Sequence, residues 1–345
     1  MLCVGIDVHM KNSVLDFFDP AAEPAQRHRT LTVPTTQQGL ESALKPLAGQ
    51  CRVAFEVGPA AQWVAGVVRP LATDVQVANP SQTPWLYRSG KKNDRIDARK
   101  LATLLYLNQL PTVHLPSVEV SQWRALINFR RTLVMRRVVL KNQIQSILRT
   151  FVRRCPHRSV WSRLGMAWLK TQTFDVVRDA MIASLLNELA ANNTQRQKVE
   201  QTLDAIAQQH PAVKRLRTIP GVGPRTAEAV AAFADDITRF ARSKQFACYF
   251  GLTPTLDASG DIIRHGHVSK RGPSVVRWVL IEAVYTTLRH CRPLQQFFER
   301  IHHGKKERRK KAVVAVGRKL LTIMFAMLKR QTDFDETRLM RSSPA

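Results

Sequence analysis

A seven-residue repeat of aliphatic side chains constrains this 345-residue chain more than any other feature. Leu126, Leu133, Leu140 and Ile147 recur at this interval, a spacing that favours a long helix packed against a second helix. A second run with similar spacing consists of Ile182, Leu185, Leu189, Val199, Leu203 and Ile206. We predict a helical hairpin or coiled-coil arm over 116–212 that serves self-association. An ordinary helical bundle within one chain is the alternative.

The segment before this arm has the pattern of an α/β domain. Short β-prone runs are separated by turn and polar residues, which predicts strands at 3–7, 13–18, 29–33, 52–57 and 74–78. Thr35 and Gln38 resemble a capping box that opens a helix reaching about Leu47. The pattern becomes helical again over 95–106. Strands followed by strand–helix units indicate a sheet with helices packed on it, and we assign residues 1–115 to this domain.

The segment after the arm, 213–335, is mainly helical in pattern and begins with a glycine-rich turn. The sequence Ile-Pro-Gly-Val-Gly at 219–223 leads into an apolar helix and resembles one half of a helix-hairpin-helix. Glycines let backbone N–H groups approach a phosphate, and the helix N-terminus adds its dipole. A plain helix–helix turn that needs glycine for its geometry is the alternative. We predict a flexible tail at 336–345.

Charge defines the class of partner. The chain has 53 Lys and Arg against 26 Asp and Glu, a formal net charge of +27 spread along its whole length. Such an excess favours a polyanion, most often nucleic acid. No apolar run approaches the ~18–20 residues that span a bilayer, and the five cysteines form no closely spaced pair. We therefore expect a cytoplasmic nucleic-acid-binding protein with no membrane partner.

Four carboxylates follow one another in an order typical of a metal site. Asp7 closes one apolar strand, Glu56 lies near the end of another, and Asp94 and Asp97 are three residues apart, on one face of a helix that begins there. Carboxylate oxygens suit Mg²⁺ or Mn²⁺, and two such ions about 4 Å apart can hold a phosphodiester. For each acid alone, a helix cap or a surface charge is the alternative. The strand–strand–helix order matches a ribonuclease H-like, RuvC-type arrangement.

The stretch 256–277 combines small hydroxyl groups with cations. Ser259 precedes a glycine, and the segment also contains Arg264, His265, His267, Ser269, Lys270, Arg271 and Arg277. A serine between cations can attack a phosphate, because positive charge stabilises both the alkoxide and the phosphorane. From spacing alone Ser259 and Ser269 are indistinguishable from turn serines, so the pattern predicts only a phosphate-contacting loop.

Taken in order, these motifs resemble the DEDD transposases of the insertion sequence 110 family over essentially the full chain. The resemblance is carried by the segments GIDVH at 5–9, FE at 55–56, KNDRIDA at 92–98, IPGVG at 219–223, FGLTP at 250–254, SG at 259–260 and VSKRG at 268–272. It implies a RuvC-like N-terminal domain, a coiled-coil arm and a C-terminal transposase domain.

The resemblance also implies roles for individual residues. The family's metal-binding acids correspond to Asp7, Glu56, Asp94 and Asp97, and its nucleophilic serine corresponds to Ser259, with Ser269 ranked second. We expect nucleic-acid contacts from turn glycines and cations, namely Gly221, Gly223, Arg225, Arg264, Lys270, Arg271, Lys305, Lys306, Arg308 and Arg309.

The implied activity is site-specific recombination of donor and target DNA. Serine attack gives a phosphoserine link, strands are exchanged, and a Holliday junction follows. A noncoding bridge RNA pairs with both DNAs, and composite active sites form in a dimer or, in the synaptic complex, a tetramer. The resemblance places the protein at the nucleoid of a bacterium or archaeon.

Two other functions fit parts of the sequence. A metal-dependent, structure-specific nuclease resembling the RuvC junction resolvases would cleave with water and would not need Ser259. A non-catalytic DNA- or RNA-binding protein would use the acids as caps and ion-pair partners, and its binding would be unaffected by Asp7→Asn.

Overall fold

The computed structural model describes residues 1–79, 93–259 and 262–337. The chain divides into two compact units, Met1–Val118 and Glu119–Ala345. The first is a mixed sheet with helices and the second is mainly helical, which confirms the predicted fold class. Most of the tail predicted to be flexible, 338–345, lies outside the described residues.

All five predicted strands of the first unit are present, and each boundary lies within one residue of its predicted position. They form one sheet in the order β3-β2-β1-β4-β5. The first three strands are antiparallel neighbours, whereas β4 runs parallel to β1 and β5 runs parallel to β4. The strands are β1 (Leu2–Val8), β2 (Asn12–Phe18), β3 (His28–Pro34), β4 (Cys51–Glu56) and β5 (Asp74–Ala78).

The helices of this unit depart from the prediction in three places. Helix α1 (Gln37–Leu44) is capped by the Thr36 side chain, which accepts a hydrogen bond from Gly39 N, so Thr35 is not the cap. Helix α2 (Ala61–Val68) was not predicted. This helix is only eight residues long. Its buried residues have helical spacing, but about two turns are too few for the sequence periodicity to predict a helix. Helix α3 (Asp94–Tyr106) begins one residue before its predicted start.

Helix α3 packs unusually close to β1, and Gly5 permits this. A Cβ atom at Gly5 would lie 2.1 Å from the carbonyl oxygen of Ala98 and 2.6 Å from the amide nitrogen of Ala102. No side chain fits such a gap without moving the helix backbone. This contact brings the first turn of α3 to the end of β1.

Two long helices dominate the start of the second unit. They are α4 (Val118–Thr150) and α6 (Val176–Gln209), joined through the short α5 (Arg163–Lys170). Ion pairs link the two long helices, between Arg130 and Glu200 at 2.8 Å and between Arg136 and Glu188 at 3.0 Å. The heptad residues Leu133, Leu140 and Ile147 are buried, so a helical hairpin is present as predicted.

The rest of the second unit is helical apart from one hairpin. Its elements are α7 (Pro211–Leu216), α8 (Pro224–Ala234), α9 (Ser243–Tyr249), β6 (Pro254–Ser259), β7 (Ile262–Val268), α10 (Ser274–His290), α11 (Arg292–His302) and α12 (Arg309–Arg330). The antiparallel hairpin β6–β7 forms part of the stretch that the sequence predicted as a phosphate-contacting loop, so its backbone is strand and not loop. Its strands have little apolar alternation, and their pairing with each other stabilises them. In the described ranges no helix is long and apolar enough to cross a membrane.

Candidate active site

Two acids meet at the ends of neighbouring parallel strands. Ile6 of β1 pairs with Phe55 of β4, so the next residues, Asp7 and Glu56, lie side by side on one face of the sheet. This is the face on which α3 packs, because Gly5 contacts that helix and side chains alternate along a strand. Both acids line an open cavity of about 480 Å³.

The other two acids occupy the first turn of α3. Asn93 caps this helix, and its side-chain oxygen accepts a hydrogen bond from Arg95 N. Asp94 is half-exposed, whereas Asp97 is buried and lies 3.6 Å from Lys100 Nζ. A helix N-terminus stabilises nearby carboxylates through its dipole, which favours two acids in this turn.

His9 links the strand end to the helix. Its Nε2 atom lies 3.1 Å from Asp7 Oδ2 and 3.4 Å from Asp94 Oδ2. One potential ligand atom from each of these three residues lies within 4.8 Å of the others. Sequence reasoning assigned no role to His9, although its position two residues after Asp7, just past the end of β1, was a usable signal.

The structure therefore brings the four predicted acids together to different degrees. Asp7 and Asp94 belong to the close cluster with His9. Glu56 lines the same cavity as Asp7. Asp97 is outside the close group but acts on Asp7 electrostatically.

The Asp7 carboxyl has an unfavourable environment for a negative charge. Burial raises its pKa most, the neighbouring His9 lowers it, and the carboxylates of Asp94 and Asp97 raise it further. A divalent cation among these oxygen atoms would offset both the burial and the repulsion. The donor set, carboxylate oxygens with one imidazole nitrogen nearby, is compatible with such an ion.

A second candidate element, in the other unit, is the β6–β7 hairpin. Ser259 is the last residue of β6 and pairs with Ile262, so it lies at the tip of the hairpin. Ser269 lies at its base, where its amide donates to Thr253 O. The strand rise places the two serines about 20 Å apart, so they cannot serve the same position.

The base of the hairpin is locked by two interleaved turns. Gly251 and Gly272 have positive φ angles of 69° and 73°, and a Cβ atom at either would lie within 2.1 Å of a backbone oxygen of the other turn. Arg277 Nη1 donates to the carbonyl oxygens of Phe250, Arg271 and Gly272 at 3.3, 2.6 and 3.0 Å. One guanidinium group therefore joins both turns.

The glycine-rich turn at 219–223 packs within the protein on one side and is open on the other. Gly221 has a φ of 87°, and a Cβ atom there would lie 2.4 Å from the Thr287 amide nitrogen, so this glycine permits close packing on α10. Gly223 has open space around its Cα and precedes α8. Arg225 forms ion pairs with Asp204 and Glu228, so its guanidinium contacts protein carboxylates.

The remaining predicted nucleic-acid contacts are mostly surface cations. Lys270, Arg271, Lys305, Lys306, Arg308 and Arg309 are all exposed. The side chain of Arg264 lies outside the described part of the molecule.

Glu228 gives the second unit a pH-dependent stability. Its side chain is buried, and burial raises its pKa to about 7 even though Arg225 lowers it. Glu228 Oε2 and Arg225 Nη1 lie 3.2 Å apart without the geometry of a hydrogen bond, which explains why the ion pair does not offset the burial. The folded protein therefore holds this proton at pH values where the unfolded chain has released it.

We expect Glu228→Gln to remove most of this pH dependence. Because the pKa is raised on folding, wild-type stability is fully present below about pH 4.5 and falls as the pH rises through about 7, by an amount on the order of 3 kcal/mol. Thermal unfolding followed by circular dichroism between pH 5 and 8 measures this change. Glu188→Gln, on the exposed Arg136 ion pair, is the control and should keep the wild-type slope; equal slopes in all three proteins would contradict the assignment.

Comparison with known proteins places both units in one family. Residues 4–152 match the DEDD transposase model of IS110, and residues 213–299 match the model described as "Transposase IS116/IS110/IS902 family". The transposase for insertion sequence element IS1111A of Coxiella burnetii is 30% identical over 72% of this chain and 70% of its own length.

Two further relatives extend the comparison. A Pseudomonas aeruginosa protein described as "Probable family 20 transposase" is 28% identical over 82% of this chain and 85% of its own length. The pilin gene-inverting protein of Moraxella lacunata is 31% identical over 35% of this chain and 38% of its own length. These matches agree with a ribonuclease H-like sheet that carries two acids at its strand ends and two on the adjacent helix. The chain therefore belongs to the IS110/IS116/IS902 family of transposases, DNA-binding enzymes whose DEDD nuclease-like domain implies the use of a divalent metal ion.

Proposed function

We propose that this transposase is a serine recombinase that cuts and rejoins donor and target DNA under the guidance of a bridge RNA. The observation that carries the proposal is the position of Ser259 at the tip of a hairpin whose base is fixed by Arg277. A residue at the tip of a hairpin with an anchored base can be presented to a DNA strand in a fixed position.

In the proposed reaction a bond forms between Ser259 Oγ and a DNA phosphorus while a bond from that phosphorus to a deoxyribose oxygen breaks. The serine hydroxyl gives up its proton, and the leaving oxygen takes one up. The reverse attack by a deoxyribose hydroxyl of another strand releases the serine and joins the DNA. No external energy source is needed, because each step exchanges one phosphodiester bond for another.

The acids of the first unit would hold the metal ion, which we propose to be Mg²⁺ or Mn²⁺. Asp7, Glu56, Asp94 and Asp97 would be its ligands, and when bound it supplies positive charge to phosphate oxygens. His9 contacts two of these acids and holds their carboxylates at the strand end.

The partners follow from the same proposal. A noncoding bridge RNA pairs with donor and target DNA, so that base pairing rather than side chains reads the sequence. The chain would act as a dimer, and as a tetramer in the synaptic complex, with domains at 1–115, 116–212 and 213–335 and the helical arm as the dimer contact. The relative named as a pilin gene-inverting protein favours recombination over hydrolysis, because inverting a gene requires that cut ends be rejoined.

A covalent-trapping gel tests the mechanism. Full-length protein is incubated with bridge RNA, Mg²⁺ and end-labelled donor and target DNA, denatured, and compared with Ser259→Ala and Ser269→Ala. We expect a protein-linked DNA band that disappears only in Ser259→Ala. Loss of the band only in Ser269→Ala would move the nucleophile to the hairpin base. Cleavage without any linked band would instead indicate a RuvC-type nuclease that uses water.

The exposed cations that precede α12 should contribute phosphate contacts. Replacing Lys305, Lys306, Arg308 and Arg309 by Gln should weaken DNA binding and reduce the slope of log K against log salt by up to about 3.6, or about 0.9 for each lost contact. Fluorescence anisotropy over a salt series measures this slope. Lys45→Gln, which removes an exposed cation paired with Glu41 on α1, is the control; an unchanged slope in the fourfold variant would exclude these cations as phosphate contacts.

A further inference from the structure

A second open cavity, of about 680 Å³, lies between the β6–β7 hairpin and one face of α12. Its volume is in the range of small-molecule sites. Phe297, Val314 and Ala315 provide apolar lining, and the base of the hairpin forms the opposite wall. The charged residues of the lining are all cations, namely Lys310, Lys311, Arg318 and Lys319.

Along α12, cationic and apolar residues of the cavity lining alternate. Lys310 and Lys311 come first, the apolar pair Val314 and Ala315 follows one turn later, and a second cationic pair follows after another turn. Residues three and four apart share a helix face, so the two cationic pairs flank the apolar pair. They lie about 12 Å apart along the helix axis.

The start of α12 also indicates an anionic occupant. Its first turn contains cations and no acid, an unfavourable arrangement because the N-terminal end of a helix dipole is positive. In the part of the chain that the structure describes, none of the four cavity cations forms a salt bridge. An anion bound here would relieve the repulsion.

We propose that this cavity holds one unpaired nucleotide of a DNA strand. The base would pack on Phe297 and the aliphatic pair, since aromatic and apolar side chains stabilise the face of any base. The phosphates on either side would contact the two cationic pairs. Apolar residues between two pairs of cations suit a ligand in which a flat base lies between two phosphates. A nucleic-acid strand has this arrangement.

DNA is favoured over RNA by what forms the other wall of the cavity. Pro254 and Val268, at the base of the hairpin, line it, and the tip of the same hairpin carries Ser259. The strand that the proposed nucleophile attacks would therefore run past this cavity. The inference rests on the proposed function for its choice of DNA, but it requires neither Ser259 chemistry nor a bound metal ion.

Binding of a single-stranded oligodeoxynucleotide containing 2-aminopurine tests the proposal with the full-length protein in EDTA, where no cleavage occurs. We expect binding to quench 2-aminopurine fluorescence. Phe297→Ala should weaken binding about tenfold, in line with the loss of one stacked base, and should remove the quenching. Ala315→Trp, which fills the cavity without changing charge, should have a similar effect. Phe298→Ala, the neighbouring aromatic residue outside the lining, should stay within about twofold of the parent.

Several results would overturn the proposal. Parental binding by both Phe297→Ala and Ala315→Trp would show that the cavity is not used, and an equal loss in Phe298→Ala would trace the effect to the fold of α11. Tighter, Phe297-dependent binding of an RNA of the same sequence would assign the cavity to RNA instead. Because no covalent step is measured, a failed trapping gel and a failed binding experiment remain distinguishable.

Discussion

Asp7→Asn should lower DNA strand cleavage by about a thousandfold or more, because metal-ion stabilisation of a transition state is worth several kcal/mol. The same substitution should raise the melting temperature of the protein in EDTA. Burial and the nearby carboxylates of Asp94 and Asp97 raise the Asp7 pKa, so the ionised group is destabilising at neutral pH, and a neutral amide of the same shape removes that cost.

The two measurements together identify the role of Asp7. Cleavage is measured on labelled DNA, and thermal unfolding is measured with EDTA and with Mg²⁺. Wild-type protein should gain stability with Mg²⁺, whereas Asp7→Asn should gain little. Glu23→Gln removes an exposed acid of the same unit and should behave like wild type. If Asp7→Asn kept full cleavage activity, or gained as much thermal stability with Mg²⁺ as the wild type, Asp7 would not be a ligand of the metal ion.

Arg277→Lys should release the β6–β7 hairpin while keeping the charge. Arg277 Nη1 donates to three carbonyl oxygens on two different turns, and a lysine side chain is one bond shorter, so its amine does not reach the position of that nitrogen. We expect a loss on the order of 3 kcal/mol in the free energy of unfolding of this region, since hydrogen bonds from charged groups contribute about 1.5–3 kcal/mol each and part of this would be recovered. Formation of the proposed protein–DNA link should fall with it.

Hydrogen exchange separates this positioning role from a role in binding. Amides of β6 and β7 should exchange faster in Arg277→Lys, while affinity for DNA changes little. Arg289→Lys on the same helix is the control, because among the described residues Arg289 bonds within α10, to Tyr285 O. Slow exchange of the hairpin amides in Arg277→Lys, as in the parent, would contradict the anchoring role.

Local sequence patterns were sufficient for most of the regular elements of the first unit. The five strands of the first unit were predicted to within one residue, because each is a short apolar run bounded by turn residues. The α1 boundary was less accurate, since Thr35 and Thr36 are both good caps. Thr35 instead donates to His9 O and contacts Ser13 Oγ, contacts made by residues distant in the sequence.

The long-range features required the folded chain. The β6–β7 hairpin has no strong alternation of its own, and the loop prediction failed there because the pairing of the two strands, not local propensity, stabilises it. Gly5, Gly251 and Gly272 look like ordinary glycines in the sequence, yet each lies where another backbone passes too close for a side chain.

By itself, the sequence determined the order of the elements, the four acids as a set and the resemblance to a transposase family. These depend on residue type and spacing, which are local properties. Only the tertiary structure placed His9 between Asp7 and Asp94, paired Arg225 with Asp204 and Glu228, and formed the cavity beside α12. Such arrangements depend on distances between residues far apart in the chain, and packing alone fixes those distances.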